Sequence, residues 1–531
     1  VLYLAFAMTH LAVPISAAGF DEALRQIREA VAAGAAMLEL RTDYLEALSP
    51  SLVAKLLGEI RSTSASRQPA VIVTCRDKSQ GGARDYPEEL RLDVLCAAVT
   101  AGADFIDVEY SSFARQANRK KVSEALSNNP EARLILSAHD FKGSFGDIAG
   151  LCGEIERSYP GAVPKLVYNA NHINDCFEAF DLLHQGDGER IVFCMGQAGL
   201  ISRIIAKKLG GFVTFASLDQ ASATAPGQLT IEQSRELYRY DSIDSDTELY
   251  GVIGSPIGHS LSPAIHNACF EHAGMNKLYL PLLVEGGKAD FEQFVNSVAS
   301  RAWLDFRGLS VTIPHKQNAL DYVRENGGFI EPLAQRIGAV NTLLLSEHGR
   351  IRAYNTDYAG ALDAITGAMN IAKKDLKGLS VAVVGAGGVA RAIVAALSDI
   401  GADITVYNRT LSKAQRLAAE FACGFDGLDG LSRLDAKLLI NCTSVGMHPK
   451  PDESPVPKEC IIKGMVVFDT VYNPAETLLL RQARRAGAKT IDGVSMFVNQ
   501  AMTQFRLFTG RAGDAELMRE IIHDSLFGQV R

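Results

Sequence analysis

The sequence predicts an α/β protein in which an N-terminal (β/α)8 barrel is followed by a two-lobed unit, its second lobe a doubly wound parallel sheet. Three observations lead there. Eight short runs rich in Val, Ile and Leu recur within residues 9–240, each followed by a helical pattern. The strand–helix rhythm starts afresh at 249, after a polar acidic stretch. A glycine-rich turn then joins an apolar run to a helix within VAVVGAGGVARA (381–392).

The eight runs are HLAVPIS (10–16), MLELRTD (37–43), AVIVTCR (70–76), DFIDVEY (104–110), RLILSAH (133–139), PKLVYNA (164–170), RIVFCMG (190–196) and GFVTFAS (211–217). Most lack strict alternation, as strands covered on both faces should. The first helix, FDEALRQIREAVAAG, sets Leu24, Ile27 and Val31 on one face, with Gly34 as its stop. This pattern favours a TIM barrel over residues 1–240; an open doubly wound sheet is the alternative. Within YDSIDSDTE (240–248), residues 241–248 read as a linker. LYGVIG (249–254), a helix from about 262, LYLPLLV (278–284), GLSVTI (308–313) and NTLLL (341–345) build a smaller α/β domain, 249–357 with 488–531. The strand and glycine turn at 381–388, then DITVYNRT (403–410), KLLINCT (437–443) and MVVFDTV (465–471), give a Rossmann domain over 358–487.

Composition narrows the function classes. The 531 residues are 47% hydrophobic and 21% charged, ordinary for a globular chain, and the net charge of -8 offers no basic field to nucleic acid or anionic membrane. No run reaches the roughly 20 apolar residues of a membrane span. The apolar opening VLYLAFAM is short and lacks a basic flank, so residues 1–7 read as a loose tail or start-site artefact. Nine cysteines without CxxC pairing suggest reduced thiols and no metal site. The expectation is a cytoplasmic protein acting on small molecules, or a plastid one if this is a mature form.

Barrel enzymes work at the C-terminal ends of their strands. Those ends carry Glu39, Arg41, Arg76, Glu109, His139 and Lys165. Lys165 sits on an apolar strand, where dryness would favour a neutral amine able to condense with a ketone. His139, one strand earlier, suits proton transfer near neutral pH. A lysine paired with a barrel carboxylate and a histidine held by backbone bonds are the bland alternatives. Arg41, Arg76 and Arg203 offer forked donors for a carboxylate.

In the second unit, the run after the glycine turn ends in YNRT, not in the acidic residue that would hold a ribose 2′-hydroxyl. Asn408, Arg409, Thr410 and Lys413 suit a 2′-phosphate, so NADP is expected over NAD. Gly385, Ala386, Gly387 and Gly388 form the turn. Ser260 and Ser262 stand at a helix start, where Ser262 alternatively serves only as an N-cap. Lys316 and Asp357 form a pair able to relay a proton, or a plain surface salt bridge.

Residues up to about 235 resemble the type I 3-dehydroquinate dehydratases. The matching stretches are ELRTD (39–43), TCR (74–76) with GG (81–82), SAHDF (137–141), PKLVYNA (164–170), MGQAGLISR (195–203) and TAPGQ (224–228). The resemblance implies a Schiff base on Lys165, His139 as general acid/base, and substrate contacts from Glu39, Arg41, Arg76, Arg203 and Gln228. It departs at Gln80, where the family has a glutamate that orients the histidine, and at Thr224, where it has serine. Residues 249–531 resemble shikimate dehydrogenase through GSPIGHSLSPAIHN (254–267), SVTIPHK, GAVNTLL, NTDYAG, GAGGVARA, NRT, NCTSVGM, DTVYNP and DGVSMFVNQA. That implies Lys316 and Asp357 as catalytic pair and substrate contacts from Ser260, Ser262, Thr312, Asn341, Tyr472 and Gln500. The fused order is similar to bifunctional dehydroquinate dehydratase–shikimate dehydrogenases. Intact SLS favours shikimate over quinate, and Gln80 keeps open a barrel that binds ligand with little or no turnover.

Overall fold

The computed structural model describes residues 9–62, 68–225, 227–345 and 350–527. The apolar opening and Pro226 of the TAPGQ motif lie outside the described residues. The chain divides into two compact units at Thr247/Glu248, apart from Leu282–Glu285, which groups with the first.

In the first unit all eight predicted runs are strands: β1 (His10–Ile15), β2 (Met37–Arg41), β3 (Ala70–Thr74), β4 (Phe105–Glu109), β5 (Arg133–Asp140), β6 (Val163–Asn169), β7 (Ile191–Met195) and β8 (Val213–Phe215). They lie in the parallel order β7-β6-β5-β4-β3-β2-β1-β8. The barrel nearly closes. At the seam the Phe212 amide, just before β8, donates to the Arg190 carbonyl, just before β7, at 2.7 Å. Helical segments follow every strand, but after β7 and β8 they shrink to Leu200–Ile204 and a π-turn at Gln233–Leu237.

Strand side chains alternate faces, which explains the barrel interior. The inward layer at one level is apolar: Met37, Ile72, Phe105, Ile135, Val163, Ile191 and Val213. Two residues further along β2 to β6 stand Glu39, Thr74, Asp107, Ser137 and Lys165, all buried. The first helix, Phe20–Ala32, departs from the sequence reading. It buries Ala23, Gln26, Ile27 and Ala30, leaving Leu24 and Val31 at the flank. Small residues there let the helix lie close to the strands, so size outranked hydrophobicity in choosing the face. Gly34 takes the left-handed conformation beyond the end, φ 80°.

The acidic segment after 240 is tied down. Lys207 Nζ donates to the carbonyls of Tyr240 and Asp241 at 3.0 Å each, Lys208 Nζ donates to that of Ser245 at 2.7 Å, and Ile243 is buried.

The second unit holds two six-stranded sheets. β9 (Glu248–Gly254), β10 (Lys277–Leu283), β11 (Phe306–Val311), β12 (Phe329–Ile330), β13 (Thr342–Leu345) and β14 (Ile351–Tyr354) form a mixed sheet ordered β10-β9-β11-β13-β14-β12. β15 (Ser380–Val384), β16 (Asp403–Tyr407), β17 (Gly424–Asp426), β18 (Leu438–Asn441), β19 (Val466–Asp469) and β20 (Lys489–Ile491) form a parallel sheet ordered β17-β16-β15-β18-β19-β20. Counted from β15 this is the 3-2-1-4-5-6 order of the Rossmann fold, with its crevice where β15 meets β18. The helices Thr356–Met369 and Gly493–Thr509 cross at Gly360. A Cβ there would stand 2.8 Å from the Gln500 amide nitrogen, so only glycine permits the approach. No helix among the described residues is long and apolar enough to cross a membrane.

Candidate active sites

In the barrel, a cavity of about 100 Å³ opens beside the strand ends. Its wall includes the nine barrel residues expected to act on or bind substrate, Glu39, Arg41, Arg76, Gln80, His139, Lys165, Arg203, Thr224 and Gln228, while Glu109, also expected at a strand end, does not line it. Lys165 Nζ lies 2.8 Å from Asp107 Oδ2, 3.1 Å from Glu39 Oε1 and 4.7 Å from the centre of the Phe215 ring. The expected dry, apolar setting is therefore corrected. Lys165 is buried but ion-paired, because Glu39 on β2 and Asp107 on β4 project inward at its level from strands four and two places away.

Arg76 anchors the same cluster. It donates to Asp107 Oδ2 at 2.6 Å, Ser137 Oγ at 2.6 Å and Glu109 Oε1 at 3.0 Å. Burial opposes the charge on Asp107, but the Arg76 guanidinium and the Lys165 ammonium outweigh it and hold the carboxyl well below the usual carboxylate range. Arg41 forms a bidentate pair with Asp43, at 2.9 and 2.8 Å. Arg203 is different. Its guanidinium lies 4.4 Å from the Phe193 ring centre, and its buried Nε and Nη2 have no hydrogen-bond partner among the described residues. Burial pushes its pKa down to about 10. An unsatisfied cation lining a cavity is a receptor for an anion.

His139 meets the departure at Gln80. The Gln80 Oε1 accepts from the His139 amide and faces Nδ1, both at 3.2 Å. An amide oxygen only accepts, so Nδ1 carries the proton and Nε2 keeps its lone pair. Burial, then the Arg76 and Lys165 cations, push the imidazole well below its ordinary pKa. It is neutral at pH 7 and can take a proton. Thr224 donates through its amide (2.8 Å) and hydroxyl (3.2 Å) to Gln228 Oε1, fixing that amide at the rim.

In the second unit, a cavity of about 350 Å³ gathers all eight expected residues: Ser260, Ser262, Thr312, Lys316, Asn341, Asp357, Tyr472 and Gln500. Lys316 opens the helix Lys316–Glu325 just past β11, and its Nζ lies 2.5 Å from Asp357 Oδ2. Asn355 caps the next helix by accepting the Asp357 amide at 3.0 Å, and Asn341 Nδ2 donates to Asp357 Oδ1 at 2.9 Å. Asn341 thus holds one oxygen of the carboxylate and Lys316 the other, while Asn355 fixes the backbone beneath it. Ser262 is the first residue of its helix and not the cap. Ser260 Oγ, two residues back, accepts the Ser262 amide at 3.3 Å. Tyr472 stacks on Phe497 at 5.3 Å.

The glycine turn fits a dinucleotide. Gly385 has φ 116°, and a Cβ there would stand 3.0 Å from the Cys442 carbonyl oxygen. A Cβ on Gly387 or Gly388 would meet nothing within 4 Å, so this backbone is open at the N-terminus of the helix Gly388–Ile400. Arg409, Thr410 and Lys413 are exposed beyond β16, and among the described residues neither cation makes an ion pair. Asn408 spans the turn, donating to the Thr410 carbonyl at 2.9 Å.

Comparison with known proteins agrees with this geometry. Residues 11–245 match the type I 3-dehydroquinase family, 252–343 the shikimate dehydrogenase substrate binding domain, 368–445 shikimate/quinate 5-dehydrogenase, and 493–523 the shikimate 5′-dehydrogenase C-terminal domain. A chloroplastic bifunctional 3-dehydroquinate dehydratase/shikimate dehydrogenase of Arabidopsis thaliana is 34% identical over 530 residues, spanning 96% of this chain and 84% of that one. The chain belongs to the bifunctional 3-dehydroquinate dehydratase/shikimate dehydrogenase family. Its second unit is also similar to the NADP(+) shikimate dehydrogenases of Methanosarcina acetivorans (43% identity, 52% of this chain, 98% of that one) and Pyrococcus furiosus (40%, 52% and 96%).

Several residues of this dehydratase/dehydrogenase escaped the sequence reading. Asp107 stands two residues before Glu109 on β4, so strand alternation alone would have turned both inward. Gln504, four residues after Gln500 on one helix face, also lines the larger cavity. It donates to Thr342 Oγ1 at 2.9 Å and accepts from Ser310 Oγ at 3.1 Å.

Proposed function

We propose that the barrel dehydrates 3-dehydroquinate through an imine on Lys165, and that the second unit reduces the resulting 3-dehydroshikimate to shikimate with NADPH. One observation carries the first half. A lysine, a neutral histidine and an unsatisfied arginine line one cavity. Arg203, with Arg41, holds the substrate carboxylate, while Glu39, Thr224 and Gln228 contact its hydroxyls. The Lys165 ammonium first gives a proton to neutral His139, which returns it when the carbinolamine oxygen leaves as water, and Nζ bonds to the ketone carbon. Loss of water leaves an iminium, whose electron demand acidifies the adjoining C–H. His139 Nε2 takes that proton and a double bond forms as the β-hydroxyl leaves as water, protonated from His139. Hydrolysis of the iminium uses the water released at its formation, so one water is lost overall.

For the second unit we take 249–357 with 488–531 as the substrate lobe and 358–487 as the nucleotide lobe. The glycine turn, Gly385 to Gly388 with Ala386, receives the pyrophosphate, and Asn408, Arg409, Thr410 and Lys413 receive the 2′-phosphate. Bound NADPH supplies the hydride. Lys316, steadied by Asp357, hydrogen-bonds the ketone oxygen and delivers the proton it needs on reduction. Ser260 and Ser262 bind the carboxylate; Thr312, Asn341, Tyr472 and Gln500 hold the ring. Both serines favour shikimate over quinate, and a higher kcat/KM for quinate in NADP reduction would overturn that choice. Nine free cysteines suit a reducing compartment such as the cytoplasm. The test of the whole reading is a single-enzyme assay. Dehydroquinate and NADPH alone should give steady loss of the reduced cofactor, and no loss would refute the coupled function.

A further inference from the structure

Asp107 has no part in the motifs used so far, yet it is the closest anion to the reacting nitrogen. Its side chain has no exposure. Oδ2 takes the Lys165 ammonium at 2.8 Å and Arg76 at 2.6 Å, and Oδ1 takes the Ser137 hydroxyl at 2.6 Å. Glu39 also touches Nζ, but it accepts from Thr74 at 2.9 Å and lines the cavity. Asp107 does not line the cavity, so it acts on the nitrogen and not on a bound substrate.

We propose that Asp107 is a catalytic residue of the dehydration: it remains ionised throughout and supplies the fixed counter-charge that favours the iminium on Lys165. The inference rests on the imine reading above.

The charge sequence at Nζ carries the argument. The resting ammonium bears one positive charge. After it gives a proton to His139 and bonds to the carbonyl carbon, the carbinolamine is neutral. When the carbinolamine C–O bond breaks and the oxygen leaves as water, its proton returned from His139, the nitrogen again bears one positive charge. A fixed anion at 2.8 Å therefore acts on the step in which charge develops: as the C–O bond of the neutral carbinolamine breaks and positive charge builds on the nitrogen, it lowers the barrier to cleavage. It draws the carbinolamine forward to the iminium, the species that acidifies the neighbouring C–H. Such an anion must not itself accept the proton. Asp107 meets that requirement, because two cations and a hydroxyl already occupy its oxygens. Its place deep on β4 also keeps Nζ at one position between two carboxylates and the Phe215 face.

The test is Asp107→Asn in the full chain, which keeps shape and removes charge. Wild type and variant are incubated with saturating dehydroquinate and borohydride, and the Lys165 adduct is read by peptide mass. We expect kcat for dehydration to fall roughly 100- to 1,000-fold, the trapped adduct to fall with it, and reduction of 3-dehydroshikimate by NADPH on the same chains to stay unchanged. An adduct at wild-type level with unchanged kcat, or a loss confined to KM or to melting temperature, overturns the proposal. Should the asparagine variant not fold, Asp107→Ala is assayed with added formate and, separately, formamide. Recovery with formate alone supports the charge role; recovery with both, or with neither, overturns it. Absence of an adduct in the wild type would defeat the imine reading itself, and so is distinct from failure at Asp107.

Discussion

Replacing Gln80 with glutamate should move the acid limb of dehydration to higher pH. Gln80 Oε1 lies 3.2 Å from His139 Nδ1, so the new carboxylate would sit against the ring nitrogen that already bears a proton. At that distance a unit charge pair is worth about 1.3 kcal/mol in water and about 5 kcal/mol at an effective dielectric of 20. Divided by 1.36 kcal/mol per pH unit, these bounds give a rise of about 1 to 4 units. Gln80 and His139 keep partial exposure and Arg76 stands nearby, which puts the expected rise near the lower bound, about 1 to 2 units. The sign follows from the role. His139 acts as base when neutral, and its depressed pKa keeps wild-type activity well into acid. A raised pKa means that protonation removes the base at higher pH. The assay is kcat/KM for dehydration against pH, followed by absorbance of the conjugated enone. Dehydrogenation by the same preparation serves as an internal control. An acid limb that stays in place, or moves to lower pH, would refute the assignment of His139 as base and of Gln80 as its neutral partner.

Lys316→Met should lower kcat for dehydroshikimate reduction by roughly 100- to 10,000-fold while leaving dehydration intact; equal loss of both activities would point to misfolding. Arg409→Ala should raise KM for NADPH about tenfold and leave that for NADH unchanged, since one exposed phosphate contact is worth about 1.4 kcal/mol or more. The fully buried His266 stacks on Tyr279 at 4.4 Å, and burial pushes its pKa down to about 3. Its neutral form is therefore favoured by folding. That stability is present above about pH 6.5 and is lost as pH falls towards 3, by about 5 kcal/mol in all. His266→Phe should flatten this part of the pH dependence in denaturant titrations of the dehydrogenase signal, and an unchanged slope would refute it.

Strands whose faces are both covered announce themselves as apolar runs, so all eight barrel strands and the main sheet strands were legible in order. So were the motif residues: His139, Lys316, Asp357 and the glycine turn each stand at a strand or helix end fixed by local pattern, whereas Lys165, expected at the end of its strand, stands inside β6, four residues before that end. The short strands β12, β14, β17 and β20 were not, since two to four residues give no period to read. Nor was the buried face of the first helix, where alanines replaced the larger side chains. By itself the sequence determined which chemical groups the protein owns and at which end of each element they stand. Only the tertiary structure decided what faces what. Lys165 meets carboxylates 58 and 126 residues away, and the stagger of parallel strands around the barrel sets those encounters. Local sequence carries no record of that stagger, yet it determines whether a buried amine stands against hydrocarbon or between two anions.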